Sequence, residues 1–216
     1  RWAPIRSLLG NGLPIGVTVA MAGSLFIVTA LLIGRLGTVP VAAHQIAINV
    51  ASLCFMIPLG LAEATTVRVG HARGRGSSEG LRRAAFAGYA LVLCTQALSA
   101  LVLFAGHDLV VRLYTRDAAV AALAASLLLY AAAFQFPDGI QVLSAGALRG
   151  LKDTRVPMFL AAFAYWGVGM PLGAGLGIGL GWGPRGMWIG LIAGLACAAL
   201  LLGRRFLHSS RRPLRM

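Results

Sequence analysis

Residues 84–106 read AAFAGYALVLCTQALSALVLFAG, which is 23 consecutive residues without a charged side chain. A helix needs about 20 predominantly apolar residues to cross the hydrocarbon core of a bilayer, so a run of this length is typical of a transmembrane helix. Three further uncharged runs, of 18 to 29 residues, lie at 7–34, 156–184 and 186–203. The chain is therefore predicted to cross a membrane several times as helices.

The composition of the 216 residues supports this prediction. Hydrophobic residues make up 58% of the chain and charged residues 12%, and the mean hydropathy is +0.82. A soluble domain averages about 25% charged residues. A transmembrane barrel is excluded, because its strands would show short segments of alternating polarity. The predicted fold class is all-α, a polytopic membrane protein with a bundle of six transmembrane helices. The predicted spans are about 9–34, 41–66, 84–106, 118–147, 156–180 and 186–203, followed by a basic tail at 204–216.

The distribution of positive charge predicts the orientation of these helices. The chain carries 19 Lys and Arg against 6 Asp and Glu, for a net charge of +13. If the loops alternate between the two sides of the membrane, 15 cations fall on one side and 4 on the other. The positive-inside rule then places both chain ends in the cytoplasm. Because topology accounts for the charge, nucleic acid is not a predicted partner. The larger group is Arg1, Arg6, Arg68, Arg73, Arg75, Arg82, Arg83, Arg149, Lys152, Arg155, Arg204, Arg205, Arg211, Arg212 and Arg215, and the smaller is Arg35, Arg112, Arg116 and Arg185.

The sequence shows no motif of an enzyme or of a metal site. Cys54, Cys94 and Cys197 all lie inside predicted spans, far apart and without a His or Cys neighbour at ligand spacing. They are interpreted as small buried hydrophobic residues. The chain has neither a phosphate-binding Walker sequence nor the G-x-S-x-G of a hydrolase. We therefore predict no enzymatic activity, no metal site and no cofactor.

The second predicted span is the most polar of the six. On a helix, five of its side chains fall on one stripe: Gln45, Asn49, Ser52, Met56 and Glu63. A polar stripe on a membrane helix must face protein or water rather than lipid. It could supply hydrogen bonds between helices, or it could line a cavity. Glu63 lies about one turn from Arg68, so it is either an ion-pair partner at the cytoplasmic end or a second functional acid.

A single carboxylate interrupts the fourth predicted span. Asp138 is the only charged residue between 118 and 148. A charge at mid-membrane costs about 2.5–3.5 kcal/mol even on the translocon insertion scale. The carboxylate therefore either takes up a proton or binds a cation, and in both cases its charge depends on what occupies the site. Its neighbours along the helix are Phe134, Gln135, Pro137 and Gln141.

These neighbours suit a site that couples an ion to conformation. Amide oxygens and a carboxylate are ligands for a hard cation such as Na⁺, and they also suit a hydrogen-bonded carboxylic acid. Pro137 leaves a carbonyl oxygen without its helical donor. The predicted coupling residues are Asp138, Gln135 and Gln141. The alternative is a buried aspartate that only links helices by hydrogen bonds.

Four motifs in order along the chain carry a family resemblance. They are AAHQIAINVASLCFMIPLGLAEATTVRVG at 42–70, LYTRD at 113–117, FQFPDGIQ at 134–141 and GALRGLKDTRVPM at 146–158. Together they resemble the C-terminal half of the multidrug and toxic compound extrusion (MATE) transporters, and the resemblance covers essentially the whole chain.

The resemblance implies a fold and an activity. Members have twelve helices in two six-helix lobes, which rock about a central cavity and expel drugs and organic cations in exchange for Na⁺ or H⁺. It implies that Asp138 is a coupling residue, that an N-terminal six-helix lobe is a partner, and that the chain, which begins at Arg1 rather than Met, is part of a longer protein. The cavity-lining candidates are Gln45, Asn49, Ser52, Met56 and Phe134.

One position departs from the family pattern. Many relatives carry a glutamate in the first helix of this lobe, where the sequence VAMAGSLF at 19–26 has Ala22. A second carboxylate is thus missing, which leaves the coupling ion open between H⁺ and Na⁺ and favours H⁺. The alternatives in function are a flippase of lipid-linked precursors from the same superfamily, and a truncated lobe without transport activity of its own. A pyrophosphate-binding flippase cavity should be basic, yet the predicted spans contain no Arg or Lys.

The orientation can be checked by cysteine labelling of intact cells. In a cysteine-free background, Ser77→Cys lies in a predicted cytoplasmic loop and His107→Cys lies near the outer surface. An impermeant maleimide should label position 107 and leave position 77 unlabelled until the cells are opened. Labelling of position 77 from outside would contradict the six-span topology.

Overall fold

The computed structural model describes residues 3–211, with the backbone alone for residues 3–9 and 11. In these residues the chain forms six long apolar helices and no strand, which confirms the predicted fold class. The helices are α1 (Ala3–Gly34), α2 (Thr38–Gly74), α3 (Ser78–Tyr114), α4 (Ala118–Gly150), α5 (Arg155–Gly179) and α6 (Pro184–Ser210). Arg1, Arg212 and Arg215, which entered the charge count, lie outside the described residues.

Several helices extend beyond the predicted spans. α2 and α3 each contain 37 residues, which corresponds to about 55 Å at 1.5 Å per residue, whereas the hydrocarbon core is about 30 Å thick. Arg, Leu and Ala are good helix formers, so a helix does not end where the hydrocarbon ends. For the same reason residues 204–210 of the predicted basic tail belong to α6, and residues 212–216 lie outside the described part.

Helix α4 occupies the centre of the bundle, where it packs against α2, α3 and α6. Glycine allows its closest approach, which is to α2. A Cβ on Gly146 would lie 2.6 Å from the carbonyl oxygen of Ala62, and one on Gly150 would lie 2.7 Å from that of Thr66. The Thr66 hydroxyl donates to the Gly146 carbonyl at 2.8 Å. α4 is therefore held on several sides, and its polar side chains have fixed surroundings.

Helix α1 lies against α5 and α2 at the edge of the bundle. Much of its apolar surface is exposed, including Leu13, Val19, Ile27 and Leu31. An exposed apolar surface suits contact with lipid or with another membrane-embedded unit.

Helix α5 switches twice from α-helical to π-helical hydrogen bonding. π-Helical segments at Phe163–Gly169 and Gly175–Gly179 follow the α-helical segments Arg155–Ala162 and Met170–Ala174. Segments of this type are rare and are frequent at functional sites.

The glycines of α5 divide between two environments. A Cβ on Gly190 of α6 would lie 2.2 Å from the Cα atom of Gly173, so the backbones of α5 and α6 nearly touch there. Gly175 and Gly179, in contrast, have open space where a side chain would stand. Gly173 therefore serves close packing of α5 against α6.

A pair of alanine substitutions tests this contact. Gly190→Ala forces the α5 and α6 backbones apart, so we expect it to lower the free energy of unfolding by about 1–3 kcal/mol. Gly175→Ala is the control, because its methyl group meets open space. Unfolding in detergent, followed by circular dichroism, gives both values. Equal effects of the two variants would contradict the close α5–α6 contact.

Candidate functional site

An elongated cavity of about 400 Å³ lies between α1, α4 and α5, with smaller contributions from α2 and α6. One face of α4 forms a wall of the cavity. The α4 residues that line the cavity recur at helical spacing, and they are Asp138, Gln141, Val142, Ala145 and Arg149. Asp138 and Arg149 are eleven residues apart, which corresponds to about 16 Å along the helix. The cavity therefore connects the middle of the bundle with the end of α4.

Asp138 lies in the deeper part of this cavity, and only 6% of its surface is exposed. Among the described residues, its carboxylate has no hydrogen bond and no ion pair. An isolated carboxylate in apolar surroundings is unfavourable unless a proton or a cation neutralises it. The structure thus provides both a partly enclosed space and a group that is incomplete without such a partner.

Two residues from other helices face the same space. Ala22 of α1 lines the cavity, at the position where the sequence comparison predicts a missing carboxylate. Tyr165 lines it from the first π-helical segment of α5, with 1% of its surface exposed. The cavity around Asp138 is therefore closed mainly by apolar groups and one phenol, and a second acid is absent from the α1 wall.

The opposite end of the cavity is neutralised by two ion pairs. Arg149 lines the cavity and binds Glu63 of α2, with Nη2 to Oε1 at 2.8 Å. Asp153, in the turn after α4, accepts from Nε of Arg205 at 2.9 Å. Glu63 therefore pairs across the helices with Arg149, and not with the sequence neighbour Arg68. Glu63 does not line the cavity. Its position therefore does not support the alternative that it is a second functional acid beside Asp138.

The structure separates Gln135 from the other two predicted coupling residues. Gln141 lines the cavity with Asp138, whereas Gln135 faces α3. There Nε2 of Gln96 donates to the carbonyl oxygen of Gln135 at 2.8 Å and to its Oε1 at 3.0 Å. Gln135 therefore does not share a site with Asp138, contrary to the prediction from the sequence. Its partner is the buried Gln96 of α3, on the other side of α4.

Phe134 is not a cavity residue either. It is buried, with its ring 5.6 Å from Trp188 and 6.2 Å from Phe26, both in edge-to-face arrangements. This aromatic cluster fills the core between α1, α4 and α6, which explains why an aromatic side chain next to Asp138 does not reach the cavity.

The polar residues of the α2 stripe lie on the outside of the bundle. Gln45, Asn49, Ser52 and Met56 are all exposed. Oδ1 of Asn49 accepts from the Tyr114 hydroxyl at 2.8 Å, and the Ser52 hydroxyl donates to the Ile48 carbonyl of its own helix at 2.7 Å. None of these four side chains lines the Asp138 cavity, and none lies in the interior of the bundle.

Sequence reasoning missed Arg149 and Tyr165. Arg149 could have been found, because it follows Asp138 at helical spacing on the same face of α4. Tyr165 carried no comparable signal, because its position depends on how α5 packs and on its π-helical geometry.

Comparison with known proteins agrees with this architecture. The MatE family model matches residues 14–174. A probable multidrug resistance protein NorM from Xanthomonas campestris pathovar campestris is 74% identical over 212 residues, which cover 98% of this chain and 46% of the relative. The multidrug resistance protein PmpM of Pseudomonas aeruginosa is 47% identical over 217 residues, covering 99% of this chain and 46% of that protein. Among solved structures, the eukaryotic MATE transporter AtDTX14 superposes with a TM-score of 0.87 at 20% identity, over 94% of this chain and 47% of that one.

These matches define the class of protein. The chain belongs to the MatE family, the multidrug and toxic compound extrusion transporters that its motifs resemble. Its six apolar helices make it a multi-pass membrane protein. The chain spans about half the length of the curated relatives it matches.

The ion pair at the end of the cavity gives a prediction for stability. Glu63→Gln leaves the partly buried Arg149 without its partner, and we expect a loss of about 1 kcal/mol in the free energy of unfolding. Glu79→Gln is the control, because it removes a carboxylate from the exposed Glu79–Arg83 pair, where about 0.2–0.5 kcal/mol is expected. Thermal unfolding in detergent compares the two. A smaller effect at Glu63 than at Glu79 would contradict a structural role for the Arg149 pair.

Proposed function

We propose that this chain forms one lobe of a secondary active antiporter that expels drugs and organic cations in exchange for an inward-moving ion. The unpaired carboxylate of Asp138, enclosed in a cavity of a MatE-family bundle, is the observation that carries this proposal. The names of the relatives, which are multidrug resistance proteins, support the drug as cargo. A second six-helix lobe completes the transporter.

Asp138 couples the ion to conformation through its charge. When ionised, the carboxylate favours an open, hydrated cavity, because a charge is poorly tolerated in a dry one. When a proton or cation neutralises it, the walls from α1, α4 and α5 can close without that penalty. Binding of the ion therefore shifts the balance between two arrangements of the lobe by its different affinity for them.

The coupling ion is H⁺ in this proposal. A sodium site needs several oxygen ligands around the ion, and the described cavity wall near Asp138 offers the Gln141 amide and the Tyr165 hydroxyl. Ala22 supplies a methyl group where a second carboxylate would stand, and Gln135 is engaged with Gln96. A single acid with few oxygen neighbours suits one proton better than a coordinated Na⁺.

The drug pathway runs along the exposed stripe of α2. Gln45, Asn49, Ser52 and Met56 share this face, and polar side chains on a membrane helix must meet protein or water. We assign this face to the space between the two lobes, where a mixed surface of amide, hydroxyl and thioether groups can contact varied organic cations.

The proposed setting is the plasma membrane, the inner membrane of a bacterium, with both chain ends in the cytoplasm. The 15-to-4 division of cations supports this orientation. A flippase of lipid-linked precursors is less well supported, because Arg149, the cation that lines the cavity, is neutralised by Glu63.

Replacement of Asp138 tests the coupling. Asp138→Asn keeps the size and polarity of the side chain and removes its titrating charge, so we expect drug efflux driven by a pH gradient to be abolished while the protein still inserts and folds. Asp117→Asn is the matched control, because asparagine also serves as an N-cap residue for α4. Efflux from vesicles holding the full-length transporter is measured with an imposed pH gradient, with and without Na⁺.

Two outcomes would contradict separate parts of the proposal. Wild-type efflux by the Asp138→Asn variant would end its role as the coupling residue. Efflux by the unmodified transporter that requires a Na⁺ gradient and ignores the pH gradient would overturn H⁺ as the coupling ion and leave the role of Asp138 intact.

A further inference from the structure

A second, open cleft of about 740 Å³ lies far from Asp138, where α3 begins and α6 ends. Its walls carry three arginines, two serine hydroxyls, one glutamate and one phenylalanine. They are Ser78, Glu79, Arg82, Arg83 and Phe86 of α3, and Ser210 and Arg211 at the end of α6.

The cleft carries a positive charge that its own carboxylate does not cancel. Glu79 pairs with Arg83 one turn further along α3. Arg82 and Arg211 are exposed and have no hydrogen bond or ion pair with any side chain that the structure describes. The N-terminal end of α3 and the C-terminal end of α6 meet here with opposite partial charges. The sign of the cleft is therefore set by its two unpaired arginines.

The cleft also lies at the boundary of the bilayer. The uncharged run of α3 starts at Ala84 and that of α6 ends at Gly203. Ser78 and Ser210 stand six and seven residues outside these limits, which corresponds to about 9–10 Å for each helix. Phe86 is just inside the limit, and its side chain is 48% exposed. The cleft thus lies at the edge of the bilayer, with Arg82 and Arg211 outside the uncharged runs and the Phe86 ring at the start of the acyl region.

We propose that this cleft binds the headgroup of an anionic phospholipid from the surrounding bilayer. The phosphodiester would accept hydrogen bonds from the guanidinium groups of Arg82 and Arg211, which are suited to bidentate phosphate binding. The first carbons of an acyl chain would lie against Phe86. Basic pockets between transmembrane helices at the membrane surface bind such headgroups in general.

The bound lipid would also connect two helices that touch each other little in this region. α3 and α6 meet through the rings of Tyr89 and Phe206, whose centroids are 6.3 Å apart. Tyr89 and Phe206 each lie about one turn further from the end of their helix than Phe86 and Ser210, so the lipid headgroup would join the two helices nearer their ends.

The test uses the full-length protein and measures its binding of lipid. The purified protein is delipidated and titrated with phosphatidylglycerol in phosphatidylcholine nanodiscs, and bound lipid is counted by native mass spectrometry. Each cation near a membrane surface contributes about fivefold to the affinity for anionic lipid, so Arg82→Gln combined with Arg211→Gln should weaken binding about 30-fold. Both side chains are exposed, so the double variant should fold normally.

The control removes the same charge elsewhere on that surface. Arg68→Gln combined with Arg75→Gln neutralises two exposed arginines, one in α2 and one directly after it, that do not line the cleft, and it should leave binding unchanged. Ser78→Asp adds a negative charge to the cleft without removing an arginine, and it should weaken binding of phosphatidylglycerol about fivefold.

Three results would overturn the proposal. One is equal retention of phosphatidylglycerol by the unmodified protein and the Arg82/Arg211 double variant. Another is the same loss in the Arg68/Arg75 control, which would indicate attraction by general surface charge. The third is an equal thermal stabilisation by inorganic phosphate and by phosphatidylglycerol, which would indicate a site for free phosphate instead of lipid.

Discussion

The lack of water in the bilayer core is the constraint on which this structure depends. Each polar group in the bundle needs a partner supplied by the protein, since lipid tails offer none. The hydroxyl of Thr66 donates to the Gly146 carbonyl of α4, and the Gln96 amide donates to Gln135. Glycine brings α2 within reach of α4 so that such bonds can form. Asp138 is a buried carboxylate without such a partner among the described residues, and a carboxylate in that position is costly unless a proton or a cation neutralises it.

The charged groups at the two ends of the cavity differ in whether they have an ion-pair partner. Asp138 meets only neutral groups among the described residues, whereas Arg149 and Asp153 each have an oppositely charged partner on another helix. The paired end can stay dry or wet at little electrostatic cost, because its charges already cancel. The unpaired end cannot, so a change in hydration or protonation acts mainly at Asp138. This contrast supports the proposal that Asp138 is the coupling residue and that the end of α4 has a structural role.

The sequence was sufficient for the six helices, because uncharged runs in a membrane protein leave few other options. It also grouped Asp138 with Gln141, and both side chains line one cavity. The prediction failed for Gln135. Gln135 lies three residues before Asp138 and Gln141 three residues after it, so the two amides are on opposite flanks of the helix. Since α4 is surrounded by neighbours, each flank meets a different helix, and spacing alone does not identify that helix. The Glu63–Arg149 pair was missed for the same reason, since the partner of Glu63 is 86 residues away in sequence.

The π-helical segment at Phe163–Gly169 fixes the angular phase of α5. A segment of this type accommodates an additional residue, and one residue corresponds to about 100° of rotation about an α-helix axis. This π-helical segment therefore sets how Gly173 and Tyr165 are oriented relative to each other. Only with it present can Gly173 face α6 while Tyr165 lines the cavity. Deleting a single residue within it would turn the remainder of α5 away from α6. Chain length in this segment is thus as strongly constrained as residue identity, and homologous bundles should tolerate substitutions here far better than insertions or deletions.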